Sequence, residues 1–484
     1  MADKISDSHS GPMGNDVLDN SEKAMDSEKQ ALKTKDADAA LEFLYAEETT
    51  IMTDVNEKDL VRKIDWRIVP LMWACYNLQY LDKTLVNYAN VMGLREDTSI
   101  SADQFSQLAL VFYVTYLAFE FPTGYLMQRL PTAKYLGANV ILWVANAGCD
   151  QILVTTMWYK RGEQPPRIGL WYVGTGTGTI IGALASFGFQ HYTSKAFTSW
   201  QIMFLFFGLI TMGVGVLVIC IVPDNPMKCK FLTRDEKVWA VERLRENKTG
   251  IENKHFKAHQ AWECFKDPQT WLISLITISS NVPNGAVSSY QATIIKNFGY
   301  TSKETALLSI PSGAIGAISV LSATYMAGRF NLRGPIIIAY LLLGGVVGGS
   351  LLAFTANDSK GAKLAGNYLT NVIGASLPLL YSYSGANYSG HTKKVTMNAI
   401  LLMSFCLGNI IGPLTFRGKD APDYIPAKIA IVVTSAFACC MTALLMAYYT
   451  YENRRREGLR VEHQENSEFL DLTDKENMEF RYRS

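Results

Sequence analysis

Beyond residue 60 the chain alternates long apolar stretches with short polar turns, each stretch about long enough to cross a bilayer as a helix. The stretches cover 68–90, 107–127, 134–158, 168–189, 201–222, 270–292, 305–327, 335–354, 363–383, 395–416 and 427–450. The pattern predicts an all-α polytopic membrane protein of about eleven spans. Residues 1–60 lack any apolar run and are rich in Asp, Glu, Lys and Ser, the composition of a disordered cytoplasmic tail without a cleavable signal. The one long polar interruption is 223–268. It opens with Pro223-Asp224-Asn225-Pro226, which cannot continue a helix. Leu232-Thr233-Arg234-Asp235-Glu236 then reads as a capped entry into a short amphipathic helix through Asn247. The expected domains are a tail (1–60), a first transmembrane bundle (61–222), a cytoplasmic central loop (223–268), a second bundle (269–451) and a mobile cytoplasmic tail (452–484).

Charge changes this picture at one place. With residues 1–60 in the cytoplasm, Arg129 and Lys134 fall inside, as positive-inside bias requires. Counted as eleven spans, Lys160, Arg161 and Arg167 land outside, followed by the basic loop 223–268 and the ending Arg454-Arg455-Arg456. One extra crossing between Lys134 and Lys160 returns all of them to the inside. Five stretches before the central loop and six after it, with one missing, predict a six-plus-six plan that lacks a helix around 143–158. A misassigned intron boundary would produce this gap. If the chain is real as written, 134–158 either crosses once and inverts the rest, or forms a hairpin with arms too short to span. An internal echo supports two halves. The turn Gly124 to Lys134 and the turn Gly328 to Gly334 are both short, basic and at corresponding positions, and repeated halves are a recurrent plan of secondary transporters.

Composition mostly excludes. A net charge of +1 gives no basic field for nucleic acid. Most of the eight cysteines lie inside apolar stretches, which is no secreted disulfide framework. Cys264 with His255 and His259 matches no zinc spacing, so no metal or cofactor is expected. Gly174-Thr175-Gly176-Thr177-Gly178-Thr179 lacks the Lys-Ser/Thr ending of a phosphate loop. Gly174, Gly178 and Gly182, like Gly344 and Gly348, have the four-residue spacing that lets helices approach closely. No acid–nucleophile–base set lies in the spans, so an enzyme is not expected.

Polar groups at membrane depth are costly and call for a partner or a role. Lys83 and Asp82 lie in the first stretch and Glu120 in the second. Adjacent helical residues point about 100° apart, so Asp82 and Lys83 cannot share one small site. Lys83 is expected to meet an anionic substrate group, and Glu120 or Asp82 to carry a proton. Asn281-Val282-Pro283-Asn284-Gly285 predicts a broken helix lining a cavity. Asn281, Asn284 and Tyr290 are therefore candidate lining residues, joined by Asn387, Asn398 and Asn409. Asp150 reads as a junction residue between two truncated helices.

These residues resemble the fungal allantoate permease family, in the anion:cation symporter group of the major facilitator superfamily. The likeness rests on Tyr80-Leu81-Asp82-Lys83-Thr84 with Asn87 to Gly93, on Glu120-Phe121-Pro122, and on Thr156 to Arg161 with Gln164 and Arg167 to Trp171. In the second half Gly390 to Lys394, Gly408 to Pro413, Phe416, Ala421-Pro422 and Tyr424 carry it, so that it covers about 62–452. The resemblance implies a major facilitator fold of twelve helices in two bundles, with cytoplasmic termini in the plasma membrane. It implies proton-coupled import of a small carboxylate such as allantoate, ureidosuccinate, nicotinate or another vitamin-like anion. It also implies that Lys83 contacts the substrate carboxylate. The chain departs from the family where Trp143 runs almost directly into Met157-Trp158-Tyr159, without the fourth-helix arginine and its nearby acid.

The expected function is secondary active import of a small organic anion by proton symport and alternating access. The expected partners are that anion, protons and the lipid bilayer. The alternative is a non-transporting membrane sensor or an inactive truncated permease, which the missing helix favours.

Overall fold

The computed structural model describes residues 55–142, 154–155, 157–160, 163–192, 197–224, 226–227, 229–245, 257–356, 359–420, 423–458 and 473–483. The first bundle contains α1 (Glu57–Val91), α2 (Ala102–Arg129), α3 (Thr132–Leu142), α4 (Gln164–Tyr172, continued by Gly174–Phe189) and α5 (Ser199–Ile221). The central loop supplies α6 (Arg234–Arg245) and α7 (Ala258–Lys266). The second bundle contains α8 (Pro268–Asn297), α9 (Ser302–Leu308 and Ile310–Phe330), α10 (Arg333–Leu341, a π segment Leu342–Gly348, and Gly349–Phe354) and α11 (Lys360–Thr370, a 3-10 turn Asn371–Ala375, and Ser376–Asn387). It closes with α12 (His391–Leu414) and α13 (Ile425–Glu457).

Each expected stretch meets a helix. Six of the described helices are long and apolar enough to cross a membrane by length and composition. α1 and α8 are not among them because they turn polar residues toward neighbouring helices. Along α8, Thr270, Ser274, Thr277, Ser280 and Asn281 are all buried. Hydroxyls there return to the preceding turn, as Thr277 Oγ1 does to Ile273 O at 2.7 Å. Such back-bonding satisfies donors that lipid cannot. The expected break at Pro283 does not occur, since α8 runs unbroken for 30 residues with Pro283 inside it. Tight packing requires its glycine: a Cβ on Gly285 would lie 2.7 Å from Asn409 Cα of α12. The other spaced glycines act likewise. A Cβ on Gly174 would lie 2.9 Å from Asn77 N of α1, and one on Gly344 2.9 Å from Ile373 N of α11.

Among the described residues, three of the contacts between the bundles are close ones. In the first, α4 meets α9 so closely that a Cβ on Gly313 would lie 2.5 Å from Gly176 O. In the second, α2 meets α12 where Tyr113 OH donates to Asn409 Oδ1 at 3.0 Å. In the third, α1 meets α8 where Asn90 Nδ2 donates to Thr293 Oγ1 at 3.0 Å.

The start of α1 marks one end of the molecule, and the central loop gathers there. Thr233 and Glu236 form the expected capping box at the entry to α6, and Glu236 also pairs with Lys63 at 2.8 Å. Lys160 pairs with Glu57 at 2.9 Å, and Arg167 grips Asp65 through Nε at 2.7 Å and a second guanidinium nitrogen at 2.9 Å. Lys134, at the start of α3, lies at the same end, its backbone N–H 3.4 Å from Asp224 Oδ1 just beyond α5. The chain therefore leaves this end at residue 132 and is back by residue 160. The stretch 134–158, for which a single crossing and a hairpin were both open, has both its flanks on one side of the bundle. The described part of it, α3, has 11 residues and rises about 16 Å, roughly half of a 30 Å bilayer core. Asp150 lies outside the described residues.

The tails also depart from expectation. α1 begins at Glu57, inside the stretch read as tail. At the other terminus α13 continues to Glu457, and residues 473–483 dock on the second bundle rather than hanging free. Lys393, fully buried at the start of α12, meets Asp474 at 2.7 Å, Glu263 of α7 at 2.8 Å and Asp267 at 2.9 Å. Tyr482 stacks on Tyr449 of α13 with centroids 4.9 Å apart.

Candidate functional site

A cavity lies between the bundles, and aromatic side chains build most of its wall. Tyr76, Gln79, Tyr80 and Lys83 line it from α1, where positions 76, 80 and 83 repeat on one helical face. Phe112, Tyr113 and Tyr116 come from α2, and Trp171 and Tyr172 from α4. The second bundle adds Leu377 and Tyr381 of α11 and Leu402 and Phe405 of α12. The cavity encloses about 610 Å³ of empty space, part of it open to solvent.

Lys83 is the one charged residue on this wall among the described residues. Its ammonium lies over the Tyr113 ring at 4.8 Å and over the Tyr80 ring at 5.6 Å. Ring faces attract a cation but leave its N–H donors without acceptors. Among the described residues no carboxylate comes within ion-pair distance of it. A second donor sits in the same wall, for Trp171 Nε1 is buried without a hydrogen-bond partner. An ammonium and an unmatched indole N–H inside an aromatic shell suit a small anion with flat, partly apolar parts.

The other expected site residues disperse. Asp82 turns away from Lys83, as the helical angle requires, and its Oδ2 accepts from Thr211 Oγ1 of α5 at 3.2 Å. The Asn87 amide, oriented to satisfy both its atoms, donates to Ser289 O and accepts from Ala292 N of α8, each at 3.2 Å. Asn409 and Asn284 belong to one polar knot behind the cavity. Asn409 Oδ1 accepts from Tyr113 OH and, at 3.2 Å, from Asn284 Nδ2. Asn281 donates to Thr277 O of its own helix at 2.8 Å. Tyr290 stacks on Phe416 with centroids 4.4 Å apart and is not in the cavity wall. Asn387 is not in the cavity wall and exchanges two hydrogen bonds with the Arg483 backbone at the loop end of α11. The side chain of Glu120 lies outside the described residues, although its backbone is helical. Sequence reasoning therefore missed the aromatic shell, whose signal was the run of rings at positions 76, 80, 113 and 116 facing one helix side each.

Of the residues weighed for metal, Cys264 and His259 are described and have other partners. Burial pushes the Cys264 thiol up to about 11, and its Sγ lies 3.6 Å from Thr270 Oγ1. His259 is exposed and meets Glu476 at 3.7 Å, and His255 lies outside the described residues. Among the described residues no group of three metal-ligating side chains occurs.

Comparison with known proteins fits this geometry. A family model of the Major Facilitator Superfamily matches residues 152–413. The thiamine pathway transporter of Saccharomyces cerevisiae is 35% identical over 96% of this chain and 99% of its own length. Allantoate permease of the same yeast is 34% identical over 92% of this chain and 90% of its own length. That second alignment runs over 491 positions, more than 92% of a 484-residue chain can supply, so the permease carries residues without a counterpart here. A crystal structure of the Escherichia coli fucose:proton symporter FucP superposes with a TM-score of 0.55 at 16% identity, covering 78% of this chain and 99% of that one. This likeness carries the fold alone. The chain is a multi-pass membrane protein of the major facilitator superfamily and belongs to its fungal allantoate-permease-like transporters.

Proposed function

We propose that the chain is a secondary transporter whose central cavity takes a small organic anion, with Lys83 as its carboxylate contact. The observation that carries this reading is the Lys83 ammonium, held by the Tyr80 and Tyr113 rings in the wall between the bundles. A carboxylate entering the cavity gives that cation its missing acceptor, and Trp171 Nε1 offers a second donor. The aromatic walls favour planar groups, such as the ring of nicotinate and the separate ureido and carboxylate groups of the ureido acids. The name of the allantoate permease relative supports the same substrate class.

Proton symport is part of the proposal. Asp82, hydrogen-bonded to Thr211 and in no ion pair among the described residues, is the candidate proton carrier, with Glu120 beside it in the sequence reading. We place the loop end, with Lys160, Arg167, Arg243 and Lys393, in the cytoplasm of a plasma-membrane protein, because positive residues gather there. Alternating access then rocks the bundles about the α4–α9, α2–α12 and α1–α8 contacts. Uptake of labelled carboxylates at two external pH values, with and without a protonophore, tests the coupling. Uptake indifferent to both would end the proton reading.

A second reading has its own observation. The chain leaves and re-enters one side between residues 132 and 160, and the permease relative is longer in alignment. We infer that the residues missing relative to that permease fall at 143–158. On this reading the chain as written binds its anion without moving it, as a sensor or an inactive permease would. The genomic locus and transcript across Trp143 to Trp158 decide between them. Additional apolar codons in the transcript restore the transporter, and their absence favours the binder.

A further inference from the structure

We propose that Gln79 is a second recognition point in the cavity, and that it selects organic anions carrying a neutral amide or ureido group besides their carboxylate. The inference rests on the reading of Lys83 as the carboxylate contact and narrows the substrate class.

Four amide side chains lie in the apolar stretch 68–90: Asn77, Gln79, Asn87 and Asn90. An amide at membrane depth is costly unless its polar atoms are matched. Neighbouring helices match three of them. Asn77 Nδ2 donates to Thr177 Oγ1 at 2.6 Å and to Gly174 O at 3.3 Å, both on α4. Asn87 is held by Ser289 O and Ala292 N of α8, and Asn90 donates to Thr293 Oγ1 of the same helix. Gln79 makes no hydrogen bond among the described residues, and it lines the cavity.

Residues 76, 79, 80 and 83 follow the i, i+3, i+4, i+7 spacing of one helix face. Gln79 therefore stands one turn from Lys83, about 6 Å along the axis. The polar groups of the wall divide by chemistry. The Lys83 ammonium and the buried Trp171 Nε1 only donate, which suits a carboxylate. Tyr113 already gives its hydroxyl proton to Asn409. The Gln79 amide both donates and accepts, which matches the C=O and N–H of a second amide or of a ureido group. A ligand with its carboxylate on Lys83 and its neutral group on Gln79 meets both in one orientation. A ligand with a hydrocarbon in that place takes the same ring contacts, but it strips water from the Gln79 amide without replacing the hydrogen bonds.

Three acids of nearly equal size test this. N-carbamoylglycine carries a ureido group, succinamate carries an amide, and isocaproate is their hydrocarbon counterpart. Equilibrium binding of each is measured to the full chain in nanodiscs and to Gln79→Leu, Gln79→Met and Lys83→Gln, each checked for folding by size exclusion. The aromatic shell favours isocaproate on apolar area alone, so the affinity ratio, not the ranking, reads Gln79. The proposal predicts that the ratio of N-carbamoylglycine or succinamate to isocaproate falls at least about tenfold in Gln79→Leu, while isocaproate binds as well or better. Gln79→Met, close to glutamine in length, should show the same fall and serves where Gln79→Leu does not fold. Lys83→Gln should weaken all three acids and leave their ratio unchanged, so a failure of the Lys83 reading shows in that variant and a failure of the Gln79 reading in the other two. A ratio unchanged in the Gln79 variants overturns the proposal, and so does an absence of binding by both amide-bearing acids.

Discussion

Lys83 and Asp82 show how one helical step divides two charges between two surroundings. Lys83 faces the cavity and its rings, and Asp82 faces α5 and Thr211. A third charged residue, Glu57, does structural work at the loop end. The hydrogen bond from Lys160 holds its carboxyl below the usual 4.5, against partial burial and with help from Arg243. A depressed carboxyl contributes stability that is present above its unfolded pKa and lost as pH falls through the folded one. Glu57→Gln should therefore lower the unfolding temperature slightly at pH 7 and change it little once pH is below 4. An equal loss at both pH values would contradict the assigned ion pairs. The carboxyl is largely exposed, so the effect is expected to be small.

At this scale the sequence was informative about charge and uninformative about shape. A lysine at membrane depth is costly enough to mark itself, and Lys83 does lie in the cavity. Asn387 was indistinguishable from Asn409, because an asparagine in a helix looks the same whether it meets side chains of neighbouring helices or a docked backbone. The aromatic shell was hidden by abundance, since rings populate every apolar stretch and only packing decides which ones share a wall.

Among the helices, close backbone approach explains the small residues. The α4–α9 contact depends on Gly176 and Gly313, each of which leaves no room for a methyl group against the other's carbonyl. Gly176→Ala should reduce the folded, monodisperse yield on size exclusion, because overpacking costs about 1–3 kcal/mol. Gly188→Ala, with open space around it, should be neutral. If both variants behave alike, the packing argument fails. The docked segment 473–483 makes a ranked prediction. Lys393 serves three carboxylates, Glu263, Asp267 and Asp474. Removing it leaves two fully buried acids short of a partner, a loss of about 3–5 kcal/mol. Asp474→Asn leaves Lys393 with two acids and should cost less. A thermal melt in which Asp474→Asn is the more damaging would contradict this network. No periodicity announced the docking, since Thr473 to Arg483 is as charged as a solvated tail. Its fold is set by contacts with distant residues such as Asn387, Lys393 and Arg456.

Across the whole molecule, the alternation of apolar stretches was enough to expect two helical bundles and to locate the anomaly between Lys134 and Lys160. Helix length and charge bias are local quantities, readable residue by residue. The relative placement of the bundles is not local, and neither is the cavity between them. The same-side placement of residues 134 and 160 can be checked directly. Single-cysteine variants Lys134→Cys and Lys160→Cys, in a background lacking the native cysteines, should react with a membrane-impermeant thiol reagent from the same side of sealed vesicles. Labelling from opposite sides would show that the stretch crosses once.

The central claim is that a carboxylate binds against Lys83. Equilibrium binding of labelled nicotinate and nicotinamide, together with the ureido carboxylates, to the purified chain and to Lys83→Gln tests it without requiring transport. The account predicts that at least one carboxylate binds, and that Lys83→Gln weakens it at least about tenfold, or 1.4 kcal/mol. Any binding of the uncharged amide should be unchanged by the substitution. Carboxylate affinity that is the same in both proteins would contradict the assignment of the cavity as an anion site.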